Sequence, residues 1–349
     1  MTVPVAISST TERLLLAALL LVIALGIQMA SDVVTILVVS FILTLLALPA
    51  VDFLERRGLP HGIAVAVVSV VAFLVLLGLI GLLVTALEML VADIGTFQAE
   101  LDQRIDAVLR ALDQVGLALP AFSASSIDLG AMAGAALGWI ADLGDLLMTI
   151  FFVVITTFFM LLEAPQLPKR VARLLGPDST ALDQASRMSG FVIDFMVVRT
   201  ETNLVHGVAF GGILLAMGVH AAVLWGILTF LLGYIPYLGL IAAAIPAIFF
   251  AWIQYGVPGA LAVIVAVIVL NLIVENPVFS YFASRTFEIP PVLVVLAVIV
   301  FGWLLGVLGM LFAVPLMLMV LILVQASEET RWINVLLGVD RLFENGTGS

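Results

Sequence analysis

The stretch from Trp225 to Trp252 is apolar and uncharged, yet Gly233, Pro236 and Gly239 fall within seven residues at its middle. Proline removes an N–H donor and collides with the preceding turn, while glycine permits a sharp reversal. As one helix the stretch would be about 42 Å long at about 1.5 Å per residue, too long for a hydrocarbon layer of about 30 Å without steep tilt. We expect two half-helices joined at a tip, Gly233-Tyr234-Ile235-Pro236-Tyr237-Leu238-Gly239. Broken backbone at membrane depth is tolerated only where protein covers it or where it lines a wet path. In transporters such breaks build the binding site.

A second interrupted stretch, Pro291 to Val324, carries Gly302, Gly306 and Gly309. Gly233 precedes Pro246 by thirteen positions, and Gly302 precedes Pro315 by thirteen. Leu238-Gly239 matches Leu308-Gly309 with a slip of one. Each copy follows a plain apolar helix, Leu204–Val219 and Ala260–Ile273. The reading is a weak repeat of helix plus broken helix. Apolar helices share composition, so coincidence is the competing reading.

Of 349 residues, 64% are hydrophobic and 11% charged. A soluble domain is nearer half apolar and a quarter charged, so the composition predicts an all-α polytopic membrane protein of about eight segments. Two of these are broken or re-entrant, and amphipathic helical inserts complete the chain. The first apolar run has no clear cleavage site, and Leu14–Met29 reads as a retained helix. With no cysteine, neither disulfide nor thiolate chemistry arises. His61, His206 and His220 are scattered, and no metal-ligand or phosphate-loop motif appears. No nucleophile–base pair is visible in the spans, so the chain does not read as an enzyme, and no cofactor is expected. The net charge of −11 argues against a nucleic-acid partner.

Residues 1–92 read as N-terminal transmembrane helices: Leu14–Met29 and Val33–Leu48, tightly paired with Ser31 or Asp32 as cap, then the long span Ile63–Leu90. Residues 93–138 form an extracytoplasmic amphipathic insert. Ile94, Phe97, Leu101, Ile105, Val108, Leu112 and Val115 recur at three and four, an apolar stripe. It can lie on the membrane, meet a neighbouring subunit, or cover its own protein. Residues 139–163 hold the fourth transmembrane helix. Residues 164–202 form a cytoplasmic amphipathic region, interrupted near Gly176-Pro177. Residues 203–327 form the transport core and 328–349 a cytoplasmic tail.

Lysine and arginine remain on the cytoplasmic side. An internal N-terminus keeps Arg13, Arg56, Arg57, Lys169, Arg170, Arg173, Arg187 and Arg199 inside, leaving Arg104 and Arg110 outside. We expect a multi-pass protein of the cell (inner or plasma) membrane with both termini cytoplasmic. The arms of each broken segment are short for a crossing, which favours hairpins, the first entering from outside and the second from inside. Arg285 would then be cytoplasmic.

Polar groups within apolar spans usually face a bundle interior or a water-filled path. Asn271 and Glu275 are four apart and share a helix face, with Asn276 adjacent and Pro277 disrupting the helix after them. These oxygens can hold a cation, or Glu275 can relay a proton; a glutamate resting at the interface is the alternative. Arg199, Glu201, Asn203 and His206 form a second cluster, in which Arg199 pairs with Asp194 or Glu201 and sets helix depth. His206 and His220 read as interfacial. Tyr234 and Tyr237 flank Pro236, where they bind a polar solute or sit at the interface.

These residues, in this order, resemble the AI-2E family of membrane transporters over nearly the whole chain. The matches are Leu224-Trp225-Gly226 with the tip sequence above and Pro246, then Glu275-Asn276. Gly302, Gly306-Val307-Leu308-Gly309-Met310 and Ala313-Val314-Pro315-Leu316 complete them. Three positions depart from the family pattern. Asn271 stands where a glutamine is frequent, and Ser280 stands where a proline is usual, with Pro277 early. Ile289-Pro290-Pro291 lacks the family's histidine, so no proton role carries over from it. The resemblance implies export or permeation of small solutes, autoinducer-2 in some members and Na⁺(Li⁺)/H⁺ antiport in others. It also implies a homo-oligomer.

The expected function is secondary transport or export of a small polar solute, autoinducer-2-like, with H⁺ or Na⁺ as candidate coupling ion. The alternatives are a Na⁺(Li⁺)/H⁺ antiporter and a non-transporting membrane scaffold. The expected pathway comprises Arg199, Asn203, Gly233, Tyr234, Pro236, Tyr237, Gly239, Asn271, Glu275, Asn276, Gly302, Gly306 and Gly309. It lies between the two tips, and Asn271, Glu275 and Asn276 offer its cation site. Partners are the lipid bilayer and a small solute or cation.

Overall fold

Two apolar helices open the chain, α1 (Ser9–Met29) and α2 (Ser31–Arg56). The computed structural model describes residues 9–114, 129–131, 134, 137–138, 143–175, 180–236, 238–283, 290–326, 330 and 332–339, among which there is no strand. Ala30 holds the cap position of α2 without a side-chain hydrogen bond. The cap expected from Ser31 or Asp32 is therefore not made, because the helix starts one residue too early for either. Nor do α1 and α2 form the expected tight pair: α1 leans mainly on the later helix that carries Trp303.

Pro60 precedes α3 (His61–Ala92), and Gly58 turns the corner with φ of 95°. At 32 residues α3 is about 48 Å long at about 1.5 Å per residue, longer than a bilayer core. After α4 (Ile94–Gln114), α5 (Leu143–Glu163) packs against both α2 and α3. Ser40 donates to the Val153 carbonyl at 3.1 Å, and Val51, Ala64, Val65 and Leu161 close the contact. The outer faces stay greasy: Leu74, Val75 and Leu82 are more than half exposed. An apolar exterior of that extent belongs in lipid. Ser31–Arg56, His61–Ala92, Gly144–Arg170, Val257–Glu275 and Pro291–Leu311 are long and apolar enough to cross a membrane.

The stripe of α4 is filled from within. Phe97, Leu101 and Ile105 are buried in one core with Phe210, Leu214, Trp225 and Phe250. For Phe97, Leu101 and Ile105, covering their own protein is the reading seen; Val108 is exposed, and Val115 lies outside the described residues. A 3₁₀ turn (Ala164–Gln166) and α6 (Leu167–Leu175) lead to α7 (Thr180–Met217). The expected surface helix and the separate span Leu204–Val219 are instead one 38-residue rod. No proline lies between 180 and 217, so nothing ends the helix where polarity gives way to grease. The interruption expected at Gly176-Pro177 lies outside the described residues, as do 115–128 of the insert.

Both interrupted stretches turn back on themselves. In the first, α8 (Ala222–Leu232) and α9 (Gly239–Tyr255) flank a turn. Trp225 stacks near Phe250 at 5.6 Å, and the Gln254 amide donates to Gly218 O at 3.2 Å, so the arms run antiparallel. At about 1.5 Å per residue the arms are about 16 and 25 Å long, short of a full crossing. α10 (Val257–Ala283) follows and continues through Pro277, which does not disrupt it as expected.

The second comprises α11 (Pro291–Leu311) and α12 (Ala313–Ala326). Although α11 has the residue count of a span, Gly306 breaks it with φ of 67° and ψ of −151°. A Cβ on Gly309 would lie 2.0 Å from the Phe301 carbonyl oxygen, eight residues back, which only a reversed chain allows. Gly239 is the counterpart: its Cβ would lie 1.7 Å from Leu232 O. The two glycines matched by the weak repeat thus stand where a returning arm crosses a carbonyl of the outgoing one.

The hairpins enter from opposite ends of the bundle. The open end of the first lies by Gly218, next to the C-terminus of α7 and to α4. The tip of the second lies toward that same end, where Gln28 at the close of α1 meets Trp303 O at 3.5 Å. Its base is held by the short α13 (Trp332–Leu336), where fully buried Asn334 donates to Leu321 O at 3.1 Å and to Gln325 Oε1 at 2.9 Å.

Candidate functional site

α7 and α8 touch backbone to backbone. A Cβ on Gly207 would lie 2.7 Å from Gly226 O, and one on Gly211 would lie 3.3 Å from Gly226 Cα. Small residues at this spacing let membrane helices approach closely. The crossing lays the polar stripe of α7 along the first hairpin. Arg199, Asn203 and His206 follow at i, i+4 and i+7, on one face.

Arg199 is the node. Its Nε donates to the Gly233 carbonyl at 2.8 Å, and its NH2 group donates to the same oxygen. Its NH1 group donates to Glu275 Oε1 at 2.9 Å and Oε2 at 3.1 Å. One guanidinium thus ties α7 to the carbonyl end of α8 and to α10. A cation at a helix C-terminus is favourable, and the planar fork allows both contacts together. The Arg199 side chain is 13% exposed and that of Glu275 31%. The Arg199 partner expected from sequence, Asp194 or Glu201, is thus replaced by Glu275. One member of each cluster read as separate, Arg199 and Glu275, thus meets the other.

Around the node, Tyr234 donates its hydroxyl to Thr200 Oγ1 at 2.7 Å, fixing the turn to α7. Asn203 is 1% exposed, and a Cβ on Gly233 would lie 2.6 Å from its Oδ1. Gly233 is therefore small so that the turn can seat on Asn203. Pro236 lies half-buried in the turn, and its carbonyl accepts from Leu238 N at 2.7 Å. Tyr237 lies outside the described residues. His206 is 4% exposed, not interfacial. His220 is half-buried and stacks on Phe97 at 4.6 Å.

Not every expected pathway residue gathers here. Asn271 is exposed on α10, one turn from Glu275. Asn276 continues that helix, its side chain outside the description. Gly302, Gly306 and Gly309 form the second turn, and among the described residues no hydrogen bond links it to 233–239. Among those residues no group of three or more metal-ligating side chains forms either.

Sequence reasoning missed Thr200 and the roles of Arg104 and His206. Arg104 on α4 donates through Nε to Ile253 O at 2.8 Å and through NH2 to Gln254 O at 2.8 Å, capping the far end of α9. The insert carries two arginines, Arg104 and Arg110, and nothing in their spacing singles out Arg104.

Comparison with known proteins follows the same lines. Residues 15–329 match the profile described as AI-2E family transporter. The chain is 27% identical over 335 residues to the AI-2 transport protein TqsA of Escherichia coli K12, covering 96% of this chain and 97% of that one. A Haemophilus influenzae protein provisionally described as a transport protein is 28% identical over 331 residues, with 93% and 94% covered. YhhT of Escherichia coli K12, provisionally described likewise, is 26% identical over 329 residues, with 94% of each chain covered.

Proposed function

The chain belongs to the AI-2E transporter family, and from that premise we propose that it is a secondary exporter of a small polar solute, coupled to an ion through Glu275. The observation that carries this reading is the three-way clasp of Arg199, Glu275 and the Gly233 carbonyl. It joins the one carboxylate side chain of α10 to the tip of a helical hairpin. A proton or a cation arriving at Glu275 competes with Arg199 for the carboxylate. Arg199 then holds the tip alone, and the balance between α7, the hairpin and α10 changes. Glu275 is about a third exposed, so an ion can reach it.

In this reading both hairpins are re-entrant, one from each side of the membrane. The short arms and the opposite entry support it. The solute passes beside the first tip, where the N-terminal end of α9 offers N–H groups. The name of TqsA makes autoinducer-2 the first solute to try.

The test is autoinducer-2 efflux from proteoliposomes under an imposed pH or Na⁺ gradient. Wild type should respond to one gradient, and Glu275→Gln should lose that response. Unchanged ion-coupled efflux in Glu275→Gln would remove the coupling role. Li⁺ or Na⁺ exchange for protons with no organic solute present would favour the antiporter instead.

A further inference from the structure

Among the described residues, two polar atoms lie buried without a partner beside the clasp: Asn203 Nδ2 and His206 Nε2. Their residues are 1% and 4% exposed, in the tightest part of the α7–α8 crossing. A buried donor or acceptor left unpaired is destabilising, and native proteins rarely keep one without cause. Here there are two, three residues apart on one helix face, Asn203 one turn and His206 two turns along α7 from Arg199 of the clasp. Water or a ligand group normally satisfies such atoms.

We infer that Asn203 and His206 form a subsite for an uncharged hydroxyl-bearing group of the transported solute. This rests on the transport reading above and narrows it. The charge arrangement decides the class. Arg199 directs its donors to Gly233 O and Glu275, so among the described residues no free cation faces an anion beside these atoms. Both Glu275 oxygens engage Arg199, so the carboxylate is already neutralised. What stays unpaired is an amide donor and an imidazole nitrogen that can give or take a hydrogen bond. A hydroxyl oxygen accepts from Asn203 while its proton serves a neutral His206, or its lone pair accepts from the other tautomer. A carboxylate cannot donate in this way, and among the described residues no group of three or more metal-ligating side chains awaits a metal ion.

The test uses vesicle swelling with erythritol as neutral probe and lactate and LiCl as charged ones, on wild type, Asn203→Leu, His206→Leu and His206→Gln. Thermal melting of each variant is measured alongside. Wild type should admit erythritol well above empty vesicles and exclude the charged probes. Asn203→Leu and His206→Leu should lower that entry at least tenfold while raising Tm by about 2–5 °C, because the unpaired atoms are gone. His206→Gln, which keeps a nitrogen at similar reach, should retain much of the entry. The subsite is overturned if erythritol does not enter, if lactate or Li⁺ enters instead, or if both leucine variants stay within twofold of wild type. It is also overturned if their Tm falls together with entry, which marks a packing role. If these results fail while ion-coupled autoinducer-2 efflux still depends on Glu275, the subsite is wrong and the transport reading stands.

Discussion

Arg199 and Glu275 are 76 positions apart in sequence, and their side chains meet at 2.9 Å with a hairpin turn caught between them. The pair is partly buried, so its two halves are unequal to remove. Deleting Glu275 leaves a guanidinium with one carbonyl partner. Breaking a fully buried pair costs about 3–5 kcal/mol; the partial exposure of Glu275 lowers the expectation here to about 1–3 kcal/mol. Glu275→Gln should therefore lower the detergent-solubilised Tm by several degrees. Arg199→Met with Glu275→Leu should recover much of it, since neither charge remains. Arg199→Lys should abolish efflux, because an ammonium cannot fork to Gly233 O and Glu275 together. A thermal melt series as a double-mutant cycle checks the first two expectations.

Arg104 does for the base of the first hairpin what Arg199 does for its tip. Its two bonds to Ile253 O and Gln254 O complete the carbonyl end of α9. Gln254 in turn accepts from His220 N at 2.9 Å and donates to Gly218 O. Hydrogen bonds from a charged group contribute about 1.5–3 kcal/mol each. Arg104→Ala should loosen this end locally. Hydrogen exchange at 218–220 and 252–256 should quicken by about thirtyfold, for a local loss of about 2 kcal/mol. The amides of α2 and α5 should be unaffected.

The turn glycines can be ranked by what a methyl group would strike. Gly239→Ala and Gly309→Ala place Cβ 1.7 and 2.0 Å from backbone carbonyl oxygens, which cannot step aside. Both variants should fail to give a monodisperse peak in size-exclusion chromatography. Gly306 has open space around it among the described residues, but its φ of 67° and ψ of −151° lie in a region essentially reserved for glycine, so Gly306→Ala should lose about 1–3 kcal/mol. Among the described residues nothing lies within 4 Å of a Cβ on Gly212 or Gly190, and alanine at these helical positions should leave stability unchanged or raise it by up to about 1 kcal/mol.

Much of this arrangement was legible from the chain, for reasons that individual residues make plain. Gly and Pro inside uncharged stretches announced the breaks at 233–239 and 302–309, because few other residues interrupt a helix in grease. The stripe from Phe97 to Ile105 announced α4 by its period. Helix continuity was harder to read. Pro277 sits inside α10 and the junction near Thr202 inside α7, since tertiary packing tolerates a local breaker and a change of polarity does not end a rod. Partner choice was hidden altogether. Arg199 had acidic residues two and five positions away, yet the hairpin fold brings it Glu275 from another helix. Sequence spacing reports neighbours along a helix, not across a bundle.

Opposite entry of the hairpins yields the sharpest test, and the absence of native cysteine makes it clean. If the first hairpin opens to the outside, His220→Cys and Tyr255→Cys should react with a membrane-impermeant maleimide in intact cells. If the second opens to the cytoplasm, Val292→Cys and Trp332→Cys should react only in inverted vesicles. Trp332 and Val292 are more than half exposed, as Tyr255 is nearly, so access is not limited by packing. Gln28→Cys with Trp303→Cys should crosslink with a short bis-reactive reagent, because α1 meets the second tip. Were Val292 and Tyr255 to label from the same side, the hairpins would enter together. The reading in which the two hairpins re-enter from opposite sides of the membrane, with the Arg199 clasp at the tip of the first, would then be lost.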